Sequence, residues 1–259
     1  MNDSLFKISG ETALVTGGAR GLGLAITEAY VRAGVRVYIA SRDADACNEA
    51  AERLSAEGEC IALPADLSTQ DGITELVGSF KQRESKLSIL VNNSGRTWGA
   101  PLSEFPYEQW DKVMNVNVTA PFELTRQLLD ALAAAATAED PSRVINIGSV
   151  AGESSDNIQA YSYSASKAAI HHLTRVLASE LAEKSITVNA IAPGWFPTKM
   201  SAHFTQGERA KEMLATIPLK RFGNPDDIGG LAVFLAARAG SYMTGNVILL
   251  DGGQLVRSW

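Results

Sequence analysis

Thr12-Ala13-Leu14-Val15-Thr16-Gly17-Gly18-Ala19-Arg20-Gly21-Leu22-Gly23 is the stretch on which the fold turns. Thr12–Thr16 is a short apolar run of strand formers that stops abruptly at Gly17-Gly18, and helical periodicity takes over from Leu22 to Ala33. A strand that turns through glycines into a helix leaves the helix N-terminus open to an anion, because glycine has no side chain to block a pyrophosphate. Counted from Gly17 the spacing is G-x-x-x-G-x-G, not the G-x-G-x-x-G of the familiar dinucleotide fingerprint. Alone, the turn is explained equally well as a plain strand-to-helix loop. Its place in the first βα unit turns it into a candidate dinucleotide site.

Outward from that unit the same alternation continues. Val35–Ala40, Cys60–Leu63, Ile89–Asn92, Val144–Ile147, Thr187–Ile191 and Asn246–Leu250 read as strands, several apolar nearly throughout, as suits a parallel sheet buried on both faces. Between them Ala44–Glu57, Ile73–Arg83, Tyr107–Ala135, Tyr163–Glu183 and Pro225–Ala237 carry helical periodicity. The expected fold is α/β: a single-domain doubly wound Rossmann fold, about seven parallel strands flanked by helices on both faces. Residues 1–259 form one domain in this reading, with a cofactor half over about 10–140 and a catalytic and substrate half over about 141–259. No linker divides the chain, and the alanine run Ala131–Ala136 reads as a helix end. Residues 194–218 follow the sixth strand and are too long for a turn, so a lid is expected there.

Composition bounds the rest. Of 259 residues, 46% are hydrophobic and 20% charged, which supplies a large core and excludes disorder. A formal net charge of −6 argues against nucleic acid or an anionic membrane as partner. Cys47 and Cys60 form no C-x-x-C pair, so a reducing, cytoplasmic location is expected. Ile186–Thr198 is too short and polar to span a bilayer, and residues 1–10, with Asp3 and Lys7, lack a signal-peptide core. His171, His172 and His203 make no ligand cluster with the cysteines, so no metal is expected; the first two read as ordinary packing or solvent contacts. Glu28, Arg32 and Arg36 read as solvated charge.

The chemistry-bearing residues lie at strand ends. Tyr163-Ser-Ala-Ser-Lys167 opens a helix, and residues four apart share a face. A free phenol titrates near ~10, too high for acid–base work at neutral pH. A cation ~4 Å away at an effective dielectric of ~20 contributes about 4 kcal/mol at most, enough to bring Tyr163 into range. An isolated Y-x-x-x-K would instead be a helix with a snorkelling lysine. Ser149 ends the fifth strand, where a hydroxyl can reach a substrate oxygen, although most loop serines have no such role. Asn92-Asn93-Ser94-Gly95 ends the fourth strand, Asn117 falls inside a helix where asparagine usually faces water, and Pro193-Gly194 precedes Thr198. Trp98, Trp195 and Phe196 flank strand ends and fit packing and substrate lining equally well.

Taken together these residues resemble the short-chain dehydrogenase/reductase family. The resemblance runs from Thr12 to Gly253: T-G-x-x-x-G-x-G at 16–23, Asp66, N-N-x-G at 92–95, Asn117, Ser149, Y-x-x-x-K at 163–167, Pro193-Gly194 and Asp251-Gly252-Gly253. Ser94 stands where alanine is commoner. The resemblance implies Tyr163 as proton donor in reduction, Lys167 as the group that lowers its pKa and holds the nicotinamide ribose, Ser149 as the carbonyl-orienting hydroxyl, and Asn117 as holder of a water. It implies cofactor contacts at Gly17, Ala19, Arg20, Gly21, Leu22, Gly23, Ser41, Arg42, Asp66, Leu67, Asn93, Gly95, Tyr163, Lys167, Pro193, Gly194 and Thr198.

NADP(H) is expected over NAD(H). Strand two ends at Ser41-Arg42, where an NAD site usually places an acid for the ribose 2′-hydroxyl; serine and arginine instead suit a 2′-phosphate. Arg20 sits at a helix N-terminus, against the dipole, which makes sense beside a bound anion. The plain alternative leaves both arginines solvated and recruits Asp43 for NAD. Segments 37–47, 92–102, 191–200 and 240–248 are similar to the rhamnolipid-synthesis type of β-ketoacyl reductase within the family, which implies a 3-oxoacyl or related ketone substrate. Ala131–Pro141 has Glu139 and Asp140 but no Lys or Arg, which argues against docking of an acyl carrier protein there; Lys184 is the one basic residue nominated. A sugar, polyol or steroid dehydrogenase is the competing reading. A silent dinucleotide sensor would have lost Tyr163, Lys167 or Ser149, and all are present. A homotetramer is expected from the family and from apolar stripes at 107–135 and 163–183, with Leu255, Val256 and Trp259 at the end.

Overall fold

In the computed structural model, which describes residues 5–155 and 158–256, the seven apolar runs pair into one sheet. Its strands are β1 (Thr12–Thr16), β2 (Arg36–Ala40), β3 (Cys60–Ala62), β4 (Ile89–Asn92), β5 (Ser142–Ile147), β6 (Ile186–Pro193) and β7 (Val247–Leu250). Every pairing is parallel, in the order β3-β2-β1-β4-β5-β6-β7. The order reverses between β1 and β4, and a crevice opens there at the carboxyl ends of the strands. Asp3 and Trp259 lie outside the described residues.

The helices are α1 (Gly21–Arg32), α2 (Ala44–Leu54), α3 (Gln70–Lys81), α4 (Glu108–Met114), α5 (Ala120–Gln127), α6 (Leu129–Ala135), α7 (Tyr161–Leu181), α8 (Ala202–Thr205), α9 (Gly207–Thr216) and α10 (Pro225–Ala236). Strand side chains alternate between two cores. Ala13, Val15, Ile89 and Val91 meet Ile26 and Tyr30 of α1 and Ile228 of α10 on one face. Leu14 and Leu90 meet Phe80 of α3, Leu124 of α5 and Leu177 of α7 on the other. Two-sided coverage is why β5 and β6 are buried at every residue. β7, at the sheet edge, leaves Leu249 40% exposed.

The segment 107–135, read as one helix, is three. A π turn over Asn115–Thr119 separates α4 from α5, and Leu128 breaks α5 from α6. Pro121 is the physical reason for the first break: it has no N–H to donate to the carbonyl of Asn117, and its ring clashes with that carbonyl in a regular helix. The solvated charges also turn out paired. Arg53 reaches Glu28 at 2.7 Å, Arg32 reaches Glu57 at 2.7 Å, and Arg36 lies 3.1 Å from Glu84. These exposed pairs contribute little to stability. No helix among the described residues is long and apolar enough to cross a membrane.

Candidate active site

The glycine turn is built before anything binds to it. Gly17 donates to the Ala40 carbonyl at 2.7 Å, which continues the β1–β2 ladder into the turn. A Cβ at Gly23 would overlap the Gly17 carbonyl oxygen and crowd the Asn93 amide, so only glycine permits this approach of helix to turn. Asn93 braces the turn from β4: its amide donates to Thr16 O at 2.9 Å and Gly17 O at 3.2 Å. Thr16 Oγ1 accepts from the backbone N–H of Asn93 at 2.9 Å and of Ser94 at 3.0 Å. Asn93 therefore shapes the crevice floor with its side chain, a use its motif did not reveal.

At the end of β2, Arg42 is exposed and Ser41 half-buried. Arg42 lies near Asp66, whose carboxyl is held low first by the Ser68 N–H, at 3.0 Å, and also by that arginine. Leu67 is buried beside it. Arg20 caps α1 without a side-chain bond to it and instead pairs with Asp43. Asp43 in turn accepts from Ala46 N at 3.1 Å as the N-cap of α2. Asp43 thus gives Arg20 a carboxylate partner beside the glycine turn. Lys199 is the cation that sequence reading missed: it approaches Asp43 closely enough to help hold that carboxyl low. It stands next to Thr198, whose Cγ2 lies 3.4 Å from where a Cβ on Gly21 would be. The chain after β6 therefore folds over the glycine turn.

The second cluster gathers at the ends of β4, β5 and α7. Lys167 is 4% exposed and donates to the Ile147 carbonyl at 2.7 Å. Its Nζ stands 5.5 Å from the Tyr163 ring centroid. Burial lowers its pKa to about 8. The expected sign at Tyr163 is not what the structure gives: burial raises the phenol, and its hydrogen bond to Ser149 is what pulls it back down. The lysine contacts the β5 carbonyl and stands over the ring. Ser149 also accepts from Ala151 N at 3.1 Å.

Asn117, in the π turn, is 2% exposed. Its side chain accepts from Arg96 N at 2.8 Å and donates to Arg96 O at 2.9 Å and Ser166 Oγ at 2.8 Å. The side chain is thus committed to protein partners, and the main-chain carbonyl of Asn117 receives no hydrogen bond from Pro121, which has no N–H. A Cβ on Gly95 would stand 3.8 Å from Asn117 Oδ1 and 3.9 Å from Lys167 Nζ, so Gly95 keeps the approach to the lysine clear. Beneath the cluster Asn92 donates to Asn146 at 2.9 Å, and Asn146 to Thr174 at 2.9 Å, tying α7 to the sheet.

His171, read as ordinary packing, is 1% exposed and bonded on both ring nitrogens, to Glu153 and to the Ser149 N–H. Nothing in its sequence setting marks it, because its partners come from the β5–α7 loop. Of the aromatic residues, Phe196 is buried under Gly223 and is structural. Trp195 packs on Phe204 of α8, ring centroids 5.0 Å apart, while Trp98 stays 39% exposed in the loop after β4. Pro193 is buried at the end of β6, and Gly194 donates to Leu250 O at 3.0 Å. No group of three or more potential metal ligands occurs among the described residues.

A family model described as enoyl-(acyl carrier protein) reductase matches residues 17–254. The chain is 51% identical over 249 residues to the rhamnolipids biosynthesis 3-oxoacyl-[acyl-carrier-protein] reductase of Pseudomonas aeruginosa, covering 96% of this chain and 97% of that one. It is 33% identical over 251 residues to gluconate 5-dehydrogenase of Gluconobacter oxydans, covering 96% of each. Among solved structures, the Pseudomonas aeruginosa RhlG/NADP active-site complex superposes with a TM-score of 0.94 at 50% identity, covering 97% of this chain and 98% of that one. Glycine turn, serine, tyrosine and lysine thus stand together on a sheet of the matching order, and the chain is an oxidoreductase of the short-chain dehydrogenase/reductase family.

Proposed function

We propose that the protein is an NADPH-dependent reductase of a ketone or 3-oxoacyl group, giving the secondary alcohol. The observation that carries the reading is the convergence of Ser149, Tyr163 and Lys167 at the crevice, with the phenol hydrogen-bonded to the serine. The glycine cradle at 17–23 fits a pyrophosphate, and Lys167, below Gly95, fits a ribose hydroxyl. NADPH held there would supply the hydride. Ser149 holds and polarises the carbonyl oxygen, and Tyr163 delivers its proton as negative charge develops there. Lys167, mostly charged at pH 7, places its ammonium against the Tyr163 ring, and Asn117 holds the Arg96 backbone against α7. Residues 194–218, carrying α8 and α9, form a lid over the glycine turn. The solved relative described with NADP and the 3-oxoacyl name of the Pseudomonas aeruginosa enzyme support this reading. So do the apolar groups on the two loops that follow β4 and β6, Trp98, Leu102 and Met200, which are 39%, 75% and 53% exposed.

Resemblance to gluconate 5-dehydrogenase sustains a second reading, a sugar or polyol dehydrogenase. A panel of 3-oxoacyl thioesters, with and without a carrier protein, against sugars, steroids and diketones, run with both cofactors, separates them. Higher kcat/KM for a gluconate-type substrate than for any 3-oxoacyl thioester overturns the first reading. Tight NADPH binding with no turnover of any carbonyl would leave only the sensor.

Cofactor choice is tested at Arg42. Arg42, exposed at the end of β2, with Arg20 and Lys199 near the same edge, suits a 2′-phosphate, so Arg42→Asp should weaken NADPH use tenfold or more, about 1.4 kcal/mol, and spare NADH. Equal kcat/KM ratios for the two cofactors in wild type and variant would sink the assignment.

We place the enzyme in the cytoplasm as a homotetramer. Trp110 on α4, Phe122 on α5 and Val176 on α7 form exposed apolar positions on neighbouring helices, and Leu249 and Val256 do so at the β7 edge. Small-angle scattering at micromolar concentration should give four times the 27.6 kDa chain mass; a monomer mass contradicts it.

A further inference from the structure

We propose that His171, oriented by Glu153, is a positioning residue that sets Ser149 through a neutral imidazole. The inference rests on the role of Ser149 and Tyr163 proposed above.

His171 lies one helical turn beyond Lys167 on α7, directly behind the serine. Its Nδ1 is 2.8 Å from Glu153 Oε1. A carboxylate only accepts, so the proton sits on Nδ1, and Nε2 presents a lone pair. That lone pair faces the Ser149 backbone N–H at 3.4 Å. Ser149 begins, and Glu153 ends, the tight turn that contains the 3₁₀ segment Val150–Gly152. One ring therefore ties both ends of the turn to α7. The turn in turn fixes the serine hydroxyl, which accepts from Ala151 N at 3.1 Å. Room for the ring comes from Gly148, where a Cβ would overlap Nε2. Glycine at 148 and histidine at 171 are thus two halves of one fit.

Protonation would undo the arrangement, since Nε2–H would then confront the Ser149 N–H. The surroundings oppose it on balance. Burial disfavours the imidazolium most, and Lys167 and Arg175 add to that, while Glu153 alone favours it; the result lies below the ordinary histidine value. The ring is therefore held neutral at pH 7, and the serine loses its brace only under conditions more acidic than those that protonate an ordinary histidine.

Four variants and two readouts besides rate decide the matter. His171→Leu should lower kcat tenfold or more while the NADPH Kd, from protein fluorescence, stays within about twofold. His171→Gln, whose amide oxygen can accept the same N–H, should recover most of the rate and lose the acidic limb of the wild-type kcat–pH profile. ¹⁵N NMR of the wild-type protein should show His171 as the Nδ1–H tautomer. Should His171→Leu fail to fold, Glu153→Ala, at a side chain 39% exposed, carries the kinetic test with the same expected kcat loss. An Nε2–H tautomer, or a folded His171→Leu enzyme within twofold of wild-type kcat, overturns the inference. Tyr163→Phe run alongside keeps the two claims apart. If that variant is inactive while His171→Leu is normal, only the role of His171 falls; if it retains turnover, the site reading falls first.

Discussion

Tyr163→Phe is expected to lose turnover by about 10²–10⁴-fold, the usual worth of a positioned general acid, with NADPH affinity unchanged within about twofold. The ring stays, so its packing and the contact of Lys167 with its face stay. What goes is the hydroxyl that hydrogen-bonds Ser149 and carries the transferable proton. Because burial raises this phenol and the serine opposes the rise, Ser149→Ala should also push the pH optimum upward; unchanged pH profiles would mean that the phenol is not the titrating group. Wild-type kcat in Tyr163→Phe would falsify the assignment of the proton donor.

Lys167→Met should damage affinity and rate together, raising the NADPH Kd at pH 7 tenfold or more and lowering kcat by a similar or larger factor. Burial leaves Lys167 with a pKa of about 8, so most copies are charged at pH 7 and the charge fades as pH rises through that value. The wild-type Kd should therefore weaken above pH 8, and that of the methionine variant should stay flat. Stability moves the other way. Between about 8 and the ordinary lysine value near 10.4, the unfolded chain holds the proton and the folded chain does not, so this group's contribution rises with pH over that window and is lost as pH falls through about 8. A wild-type Kd independent of pH from 7 to 9.5 would count against the lysine as a ribose contact.

The sheet was legible because its strands are buried on both faces: runs such as Ile89–Asn92 and Thr12–Thr16 are apolar without alternation and end at glycine or asparagine. Strand limits moved where hydrogen bonding outran hydropathy. β5 starts at Ser142, two residues before its apolar run, and β6 extends to Pro193. Site residues that act at strand ends and helix starts could be named because their positions follow from the βα rhythm. The rest depends on contacts that no local pattern encodes. Asp43 capturing Arg20 and Lys199 approaching Asp43 are meetings of segments separated by tens of residues or more. His171 belongs to this class too, since its meaning comes from Glu153, 18 positions away. The break at 115–119 was within reach: Pro121 lies four residues after Asn117, and that spacing alone denies a regular helix.

That break also fixes the length of the chain around it. A π turn is an α-helix with one residue too many, so α4 and α5 differ by about 100° in angular phase from an unbroken helix. Val113 on α4 and Leu124 on α5 are both buried, one on each side of the turn. Deleting one residue there would rotate α4 against α5 and swing Asn117 away from Arg96 and Ser166, while Pro121 would still withhold its backbone donor. The irregularity thus sets the rotation at which α4 hands the chain to α5, and with it the one angle at which Asn117 meets both the Arg96 backbone and α7.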